Sequence, residues 1–264
     1  MLVPRLSAVN SARAGISSNR LDRELRARAV YFAQMPNDEI ARFQPASDRS
    51  LLVYLGEQIA IETNQRIVRL LRLLELEPVN GVVNVHPAYC SILIDFDALK
   101  ISHSELAAVL RGYLARLDEI DLPAARLVEI PVCYGGEFGP DLNDVARAHG
   151  ITSDELIKLH SSAIYAVYFF GFVPGFAYLG GLPERLATPR LATPRRSVPR
   201  GSVGIAGGQT GIYPFAVPGG WNLIGRTPLG MFRSDRVEMS LLVIGDQVRF
   251  TPVSVARFAA LVKT

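Results

Sequence analysis

The stretch that decides the fold runs from Gly171 to Pro228, GFVPGFAYLGGLPERLATPRLATPRRSVPRGSVGIAGGQTGIYPFAVPGGWNLIGRTP. It holds twelve of the chain's 22 glycines and eight of its 17 prolines, residues that break long helices and central strands and that in bulk describe a flexible linker. Set between them, however, are Phe172, Phe176, Tyr178, Ile205, Tyr213 and Trp221. Disordered segments lack such large apolar side chains. The stretch therefore reads as short strands joined by ordered turns, the kind of backbone on which binding surfaces are built.

Upstream of it the pattern changes. Leu51 to Leu55 is an apolar run of strand length, and Ile59, Ile67, Leu70, Leu71 and Leu74 then recur at helical spacing up to Pro78. Val82–His86 and Ser91–Phe96 read as a strand pair. Ser102 and Glu105 form a capping box that opens a helix through Leu117, and Arg126–Tyr134 alternates as a strand again. The order β-α-β-β-α-β predicts a ferredoxin-like domain over residues 44–134. A mostly β domain then fills 135–264, with the boundary near Tyr134–Gly136 where Gly135-Gly136 offers a hinge. Two short helices, Asp141–His149 and Ser153–Ser161, open that second domain, and two strands around the Gly245-Asp246 turn close it. The fold class expected is thus α+β.

Composition is ordinary for a globular chain, 49% hydrophobic and 20% charged. The net charge of +3 comes from six arginines within the first 35 residues, against Asp22 and Glu24. The remainder is close to neutral, so a nucleic-acid surface is not indicated. Residues 1–43 read as a disordered N-terminal extension, with an organellar presequence as the competing reading. No 18-residue apolar run and no secretory signal is present, which points to a cytoplasmic protein without membrane contact. Cys90 and Cys133, 43 positions apart, read as free thiols, and no metal-ligand spacing exists.

Familiar enzyme motifs are absent: there is no phosphate-binding P-loop, no nucleophile elbow, no zincin helix, and GSVGIAG (Gly201–Gly207) is not a dinucleotide fingerprint. Candidates are instead polar residues set in special backbone. Asp141 follows Gly139-Pro140 at a helix start, where an N-cap competes with a catalytic carboxylate. His160 ends a helix and is a candidate base. Gln209 sits among glycines, Tyr213 and Trp221 follow on the same segment, and Trp221 reads more readily as core. Arg190, Arg195, Arg200 and Arg226 can grip carboxylate or phosphate bidentately. The immediate repeat LATPR-LATPR (Leu186–Arg195) sets Arg190 and Arg195 apart along extended chain, suited to two different contacts.

Three runs carry a resemblance: PVCYGGEFGPDL (Pro131–Leu142), HSSAIYAVYFFGFVPGFAYLGGLPERLATPR (His160–Arg190) and VPRGSVGIAGGQTGIYPFAVPGGWNLIGRTP (Val198–Pro228). Over about Gln44–Pro252 the chain resembles the allophanate hydrolase subunit 1 family of carboxyltransferase-domain proteins. That family includes the B subunit of 5-oxoprolinase and a sporulation histidine-kinase inhibitor. The resemblance implies a cyclophilin-like barrel in the second half. It also implies a subunit of an ATP-dependent 5-oxoprolinase that opens pyroglutamate to glutamate, with ATP and Mg in the complex. The partners implied are a homologue of the 5-oxoprolinase C subunit (allophanate hydrolase subunit 2) and the 5-oxoprolinase A subunit. The alternatives are a carboxyltransferase subunit of a urea-degrading system and a kinase inhibitor without chemistry. On this reading Asp141, His160 and Gln209 are catalytic. Tyr213, Arg226, Arg190 and Arg195 bind substrate or nucleotide, and Phe172, Phe176 and Tyr178 meet a partner. Asp141, His160, Gln209, Tyr213 and Arg226 are expected to share one cleft.

Overall fold

A computed structural model describes residues 41–262. The extension expected over 1–43 therefore lies outside the described residues as far as position 40. Arg42 and Phe43, by contrast, already belong to a strand, with Phe43 buried.

The first sheet has four antiparallel strands, β1 (Arg42–Ser47), β2 (Ser50–Tyr54), β3 (Val82–Pro87) and β4 (Ser91–Phe96), in the order β1-β2-β4-β3. Two helices, α1 (Ile61–Leu76) and α2 (His103–Leu114), separate and follow the strand pairs. Alternation in sequence becomes a one-sided sheet: Leu51, Val53, Ile92, Ile94 and Phe96 are buried while their neighbours along the strands are half-exposed. The apolar stripes of the helices, Ile67, Leu70 and Leu73 on α1 and Leu106 and Leu110 on α2, are fully buried as well. α2 begins at the expected capping box, the Glu105 N–H donating to Ser102 Oγ at 3.3 Å and the Ser102 N–H to the Glu105 carboxylate at 2.8 Å.

The ferredoxin-like reading is corrected at its last strand. β5 (Leu127–Tyr134) does not return to this sheet but forms part of a closed barrel, paired with β12 (Asn222–Arg226) and β13 (Gln247–Pro252). The first module is instead a hairpin-helix-hairpin-helix unit whose extra strand, β1, carries Pro45 on the sheet's edge, where a missing N–H is tolerated. Period-two alternation announces a strand without saying which sheet takes it. The chain passes from the first sheet and its helices into the barrel across residues 120–126, before β5.

The barrel also contains β6 (Tyr165–Phe170), β7 (Ala177–Gly180), β9 (Ser202–Ala206) and β10 (Gln209–Ile212), in the closed order β10-β7-β6-β13-β5-β12-β9. Ile130, Val132, Tyr165, Val167, Val203, Ile205, Val248 and Phe250 fill its interior. β8 (Arg195–Val198) and β11 (Val217–Gly219) pair outside it. Helices α3 (Leu142–Ala148) and α4 (Ser153–Ser162) follow β5, and α5 (Val255–Val262) ends the described chain. Only one of the two closing strands expected near Gly245 forms. Residues 239–244 are held instead by an isolated bridge between Phe232 and Ser240, by the Leu241 N–H donating to Met231 O at 2.9 Å, and by the Asp246 carboxylate, which accepts from the Val243 N–H at 2.8 Å and from Arg126 at 2.6 Å. Cys90 and Cys133 are both free thiols. Among the described residues no helix is long and apolar enough to cross a membrane.

Candidate functional site

The barrel wall formed by β9 and β10 has two faces. Val203, Ile205 and Ile212 point inward, while Gly204, Ala206 and Gly211 face a separate aromatic cluster of Phe176, Tyr213 and Trp221. Glycine is required there because a side chain would meet the rings: a Cβ on Gly211 would stand 3.2 Å from both the Phe176 and Trp221 rings, and one on Gly219 would stand 2.5 Å from the Tyr213 hydroxyl. The glycine-rich sequence thus makes room for aromatic side chains on the outside of a barrel. The rings meet edge to face, Phe176 with Trp221 at 5.4 Å and with Tyr213 at 5.2 Å, the favoured arrangement for their quadrupoles.

Above this floor is a cavity of about 250 Å³ lined by Phe172, Phe176, Tyr178, Arg190, Tyr213 and Trp221, with Leu191, Pro194 and Pro218–Gly220 completing the wall. Its rim carries backbone strain. Phe172, with φ 65, is the one non-glycine residue in the left-handed region among those described, and its side chain is 59% exposed. A bulky residue in that conformation costs about 1–3 kcal/mol and persists where the surroundings enforce it.

Arg190 is held over the cavity by its neighbours. The Asn222 amide donates to Pro189 O at 2.8 Å, and the Leu191 N–H donates to Gly220 O at 2.8 Å, so both peptides flanking Arg190 are fastened to the Trp221 segment. No hydrogen-bond or ion-pair partner meets the Arg190 guanidinium among the described residues. Its charge acts on Tyr89, Tyr178 and Tyr213, whose hydroxyl pKa values burial raises and Arg190 pulls back. Tyr213, in the cavity wall, has a hydroxyl proton to donate. Tyr89 reaches in from the β3–β4 turn, its ring edge-on to Phe169 at 4.7 Å and to Tyr178 at 5.8 Å, and its hydroxyl is buried without a partner.

Arg195, the other half of the repeat, has a different role. Its guanidinium donates to Asp141 Oδ1 at 2.6 Å, while Asp141 Oδ2 accepts the Leu223 N–H at 2.6 Å. Asp141 therefore makes no N-cap bond to its own helix; it ties β8 and β12 together. Of the two arginines of the repeat, Arg195 is thus committed to an ion pair within the protein, and Arg190 is not.

His160 is wholly buried on α4, stacked on Phe250 at 4.6 Å inside the barrel. Thr210 donates its hydroxyl proton to Gly204 O at 3.0 Å, so the 3.0 Å contact from His160 Nε2 to Thr210 Oγ1 is an N–H donation. Nδ1 is then the acceptor for the Tyr134 hydroxyl at 2.8 Å. Burial lowers the imidazole pKa to about 3. A ring with both nitrogens engaged and so little affinity for protons is a packing element and a feeble base.

Of the five residues expected to share a cleft, only Tyr213 lines the cavity. Gln209 opens β10 beside the Gly207-Gly208 turn. Arg226 lies over the Phe138 ring at 5.7 Å and reaches Glu137 O at 3.4 Å. Phe176, expected at a partner surface, is 1% exposed and forms cavity floor instead. Trp221 and Asn222 carry more of the site than the sequence suggested, and Tyr89 comes from a segment that offered no signal. A larger recess of about 480 Å³ lies between α1 and the 122–126 and 243–247 loops. Its buried polar groups are already paired, Asp246 with the exposed Arg126 and Asn64 with Tyr168 O, which leaves no buried group to grip a ligand.

Residues 41–242 match the family model "Carboxyltransferase domain, subdomain C and D". The chain is 41% identical over 223 residues to the 5-oxoprolinase B subunit of Bacillus subtilis (strain 168), covering 81% of this chain and 93% of that protein. Urea amidolyase of Saccharomyces cerevisiae is more distant, 28% identical over 252 residues, covering 80% of this chain and 13% of that protein. Among solved structures, the crystal structure of TTHA0988 superposes with a TM-score of 0.69 at 36% identity, covering 78% of this chain and 40% of that one. This chain therefore matches less than half the length of that protein.

Proposed function

Because the chain belongs to the carboxyltransferase-domain family and groups there with the B subunit of 5-oxoprolinase, we propose that it is the B subunit of an ATP-dependent 5-oxoprolinase. With its partner subunits it would convert 5-oxoproline, ATP and water to glutamate, ADP and phosphate. The observation that carries this reading is 41% identity extending over 93% of a protein of that name. The urea-system reading draws on a relative at 28%, of which this chain matches 13%.

The cavity at Arg190 suits the small substrate and not the nucleotide. At about 250 Å³ it falls below the range of roughly 300–1,000 Å³ that holds drug-sized ligands. Stabilising a transferring phosphoryl group calls for clustered cations and metal-holding carboxylates. No group of three or more His, Cys, Asp or Glu side chains that could hold a metal ion is brought together among the described residues. The donor set here thus does not fit Mg-bound ATP, and no phosphoryl-transfer step is assigned to this chain. Activity then requires homologues of the 5-oxoprolinase A and C subunits, with exposed Phe172 offering contact area to one of them.

The test is 5-oxoproline-dependent ADP release by the purified chain alone and by the three-subunit mixture. Turnover is expected only from the mixture. Turnover by the isolated chain would refute the division of labour, and a mixture inert toward 5-oxoproline would refute the function.

A further inference from the structure

We propose that the aromatic cavity is where 5-oxoproline binds, with its carboxylate on Arg190 and its ring against Tyr213, Phe176 and Trp221. The inference rests on the functional reading above and adds the location and the recognising charge.

Three observations converge on it. The first is size: about 250 Å³ admits a single small ring and excludes a nucleotide. The second is charge: Arg190 is the cation of the cavity wall and has no carboxylate partner among the described residues, whereas Arg195, five positions on, is neutralised by Asp141 at 2.6 Å. An exposed guanidinium whose backbone is fastened at both flanking peptides, and which is left unneutralised beside an aromatic floor, offers one carboxylate a bidentate partner. The third is donor arrangement. The Tyr213 hydroxyl belongs to the cavity wall and has a proton to give to a lactam carbonyl.

The same wall discriminates between substrate and product. No acidic side chain lines the cavity, so the ammonium group that appears when the lactam opens finds no counter-charge and no strong acceptor beside Arg190. An anion with a neutral ring fits, and the zwitterionic open chain does not. Release of glutamate would follow from ring opening itself.

Trp221 is the chain's only tryptophan and lies in the cavity wall, so its fluorescence reports occupancy directly. The isolated chain is titrated with 5-oxoproline, with 2-pyrrolidinone, which keeps the ring and lacks the carboxylate, and with glutamate. We expect a saturable change with 5-oxoproline, at least tenfold weaker binding of the other two, and loss of the response in Arg190→Gln. In the assembled complex, Arg190→Gln should raise KM for 5-oxoproline ten- to a hundredfold and leave KM for ATP within twofold, with partial recovery in Arg190→Lys. Should Arg190→Gln fail to fold, the preference of the wild-type chain for 5-oxoproline over 2-pyrrolidinone decides alone. A Trp221 signal indifferent to 5-oxoproline, equal binding of 2-pyrrolidinone, or an unchanged KM in Arg190→Gln overturns the assignment while leaving the functional reading standing. A wild-type complex inert toward 5-oxoproline overturns the functional reading itself.

Discussion

Acid should unfold this protein through His160. The ring is fully buried with its pKa lowered to about 3 by that burial, against an ordinary value near 6.5 in the unfolded chain. Between those two values the unfolded state binds a proton that the folded state refuses. Stability is then complete above about pH 6.5 and falls as the pH drops toward 3, by ~1.4 kcal/mol per pH unit for one proton. From pH 7 to pH 4 the loss from this residue is about 3 kcal/mol, a large part of the net stability of a typical domain. The control is His160→Gln, whose amide can donate to Thr210 and accept from Tyr134 without titrating. We expect it to lower stability at pH 7 by about 1–3 kcal/mol through lost stacking on Phe250 and altered shape. It should also remove the His160 share of the acid slope. Urea unfolding followed by circular dichroism at pH 7, 6, 5 and 4 measures both. Wild-type and His160→Gln curves that stay parallel across that range would show that the imidazole titrates normally and is not sealed in the barrel.

Asp141→Asn should cost about 2 kcal/mol in urea unfolding at pH 7, because it strips the charge from a pair whose side chains are only 13% and 29% exposed. In a double-mutant cycle with Arg195→Met, an interaction energy near zero would mean that the two side chains are not coupled. Gly211→Ala should destabilise by about 1–3 kcal/mol and shift Trp221 emission, since the new methyl lies 3.1–3.2 Å from Ala177 O and two rings. Gly208→Ala, with nothing within 4 Å, should be neutral or stabilising by up to ~1 kcal/mol in the same urea unfolding. Equal effects of the two alanines would contradict the packing described for the cavity floor.

The sequence announces its elements better than its topology. Helices α1, α2 and α4 stand where apolar spacing and their first residues put them, α2 behind Ser102 and α4 behind Thr152, whose hydroxyl accepts the Glu155 N–H at 3.1 Å, because those signals are local: a stripe every three to four residues and a side chain that meets the first free N–H groups. The destination of β5 is a long-range choice between two half-built sheets, and nothing within residues 127–134 encodes it. The site shows the same division. Arg190 and Arg195 were separable because proline geometry in a repeat is local, whereas their fates depend on where Asp141 and Asn222 arrive from elsewhere in the fold. His160 looked like a base because its position at a helix end was visible and its complete burial was not. Tyr89, some 80 positions upstream of the residues it packs on, lay beyond any reading of spacing.

The parallel pairing of β5 with β13 also governs how the chain must assemble. β13 sits between β5 and β6 in the closed order, so β5, formed near the middle of the chain, waits for residues 247–252 before its second edge is covered. Every other neighbour of β5 and β6 has by then been synthesised. Until that moment two strands present unpaired amide and carbonyl groups, and the ring closes only by a contact spanning about 120 residues. Such non-local closure is slow, and an open strand edge in the interim invites pairing with another molecule. Lesions in the last strand should therefore show themselves first as aggregation during synthesis, and only secondarily as a lower melting temperature in whatever material survives.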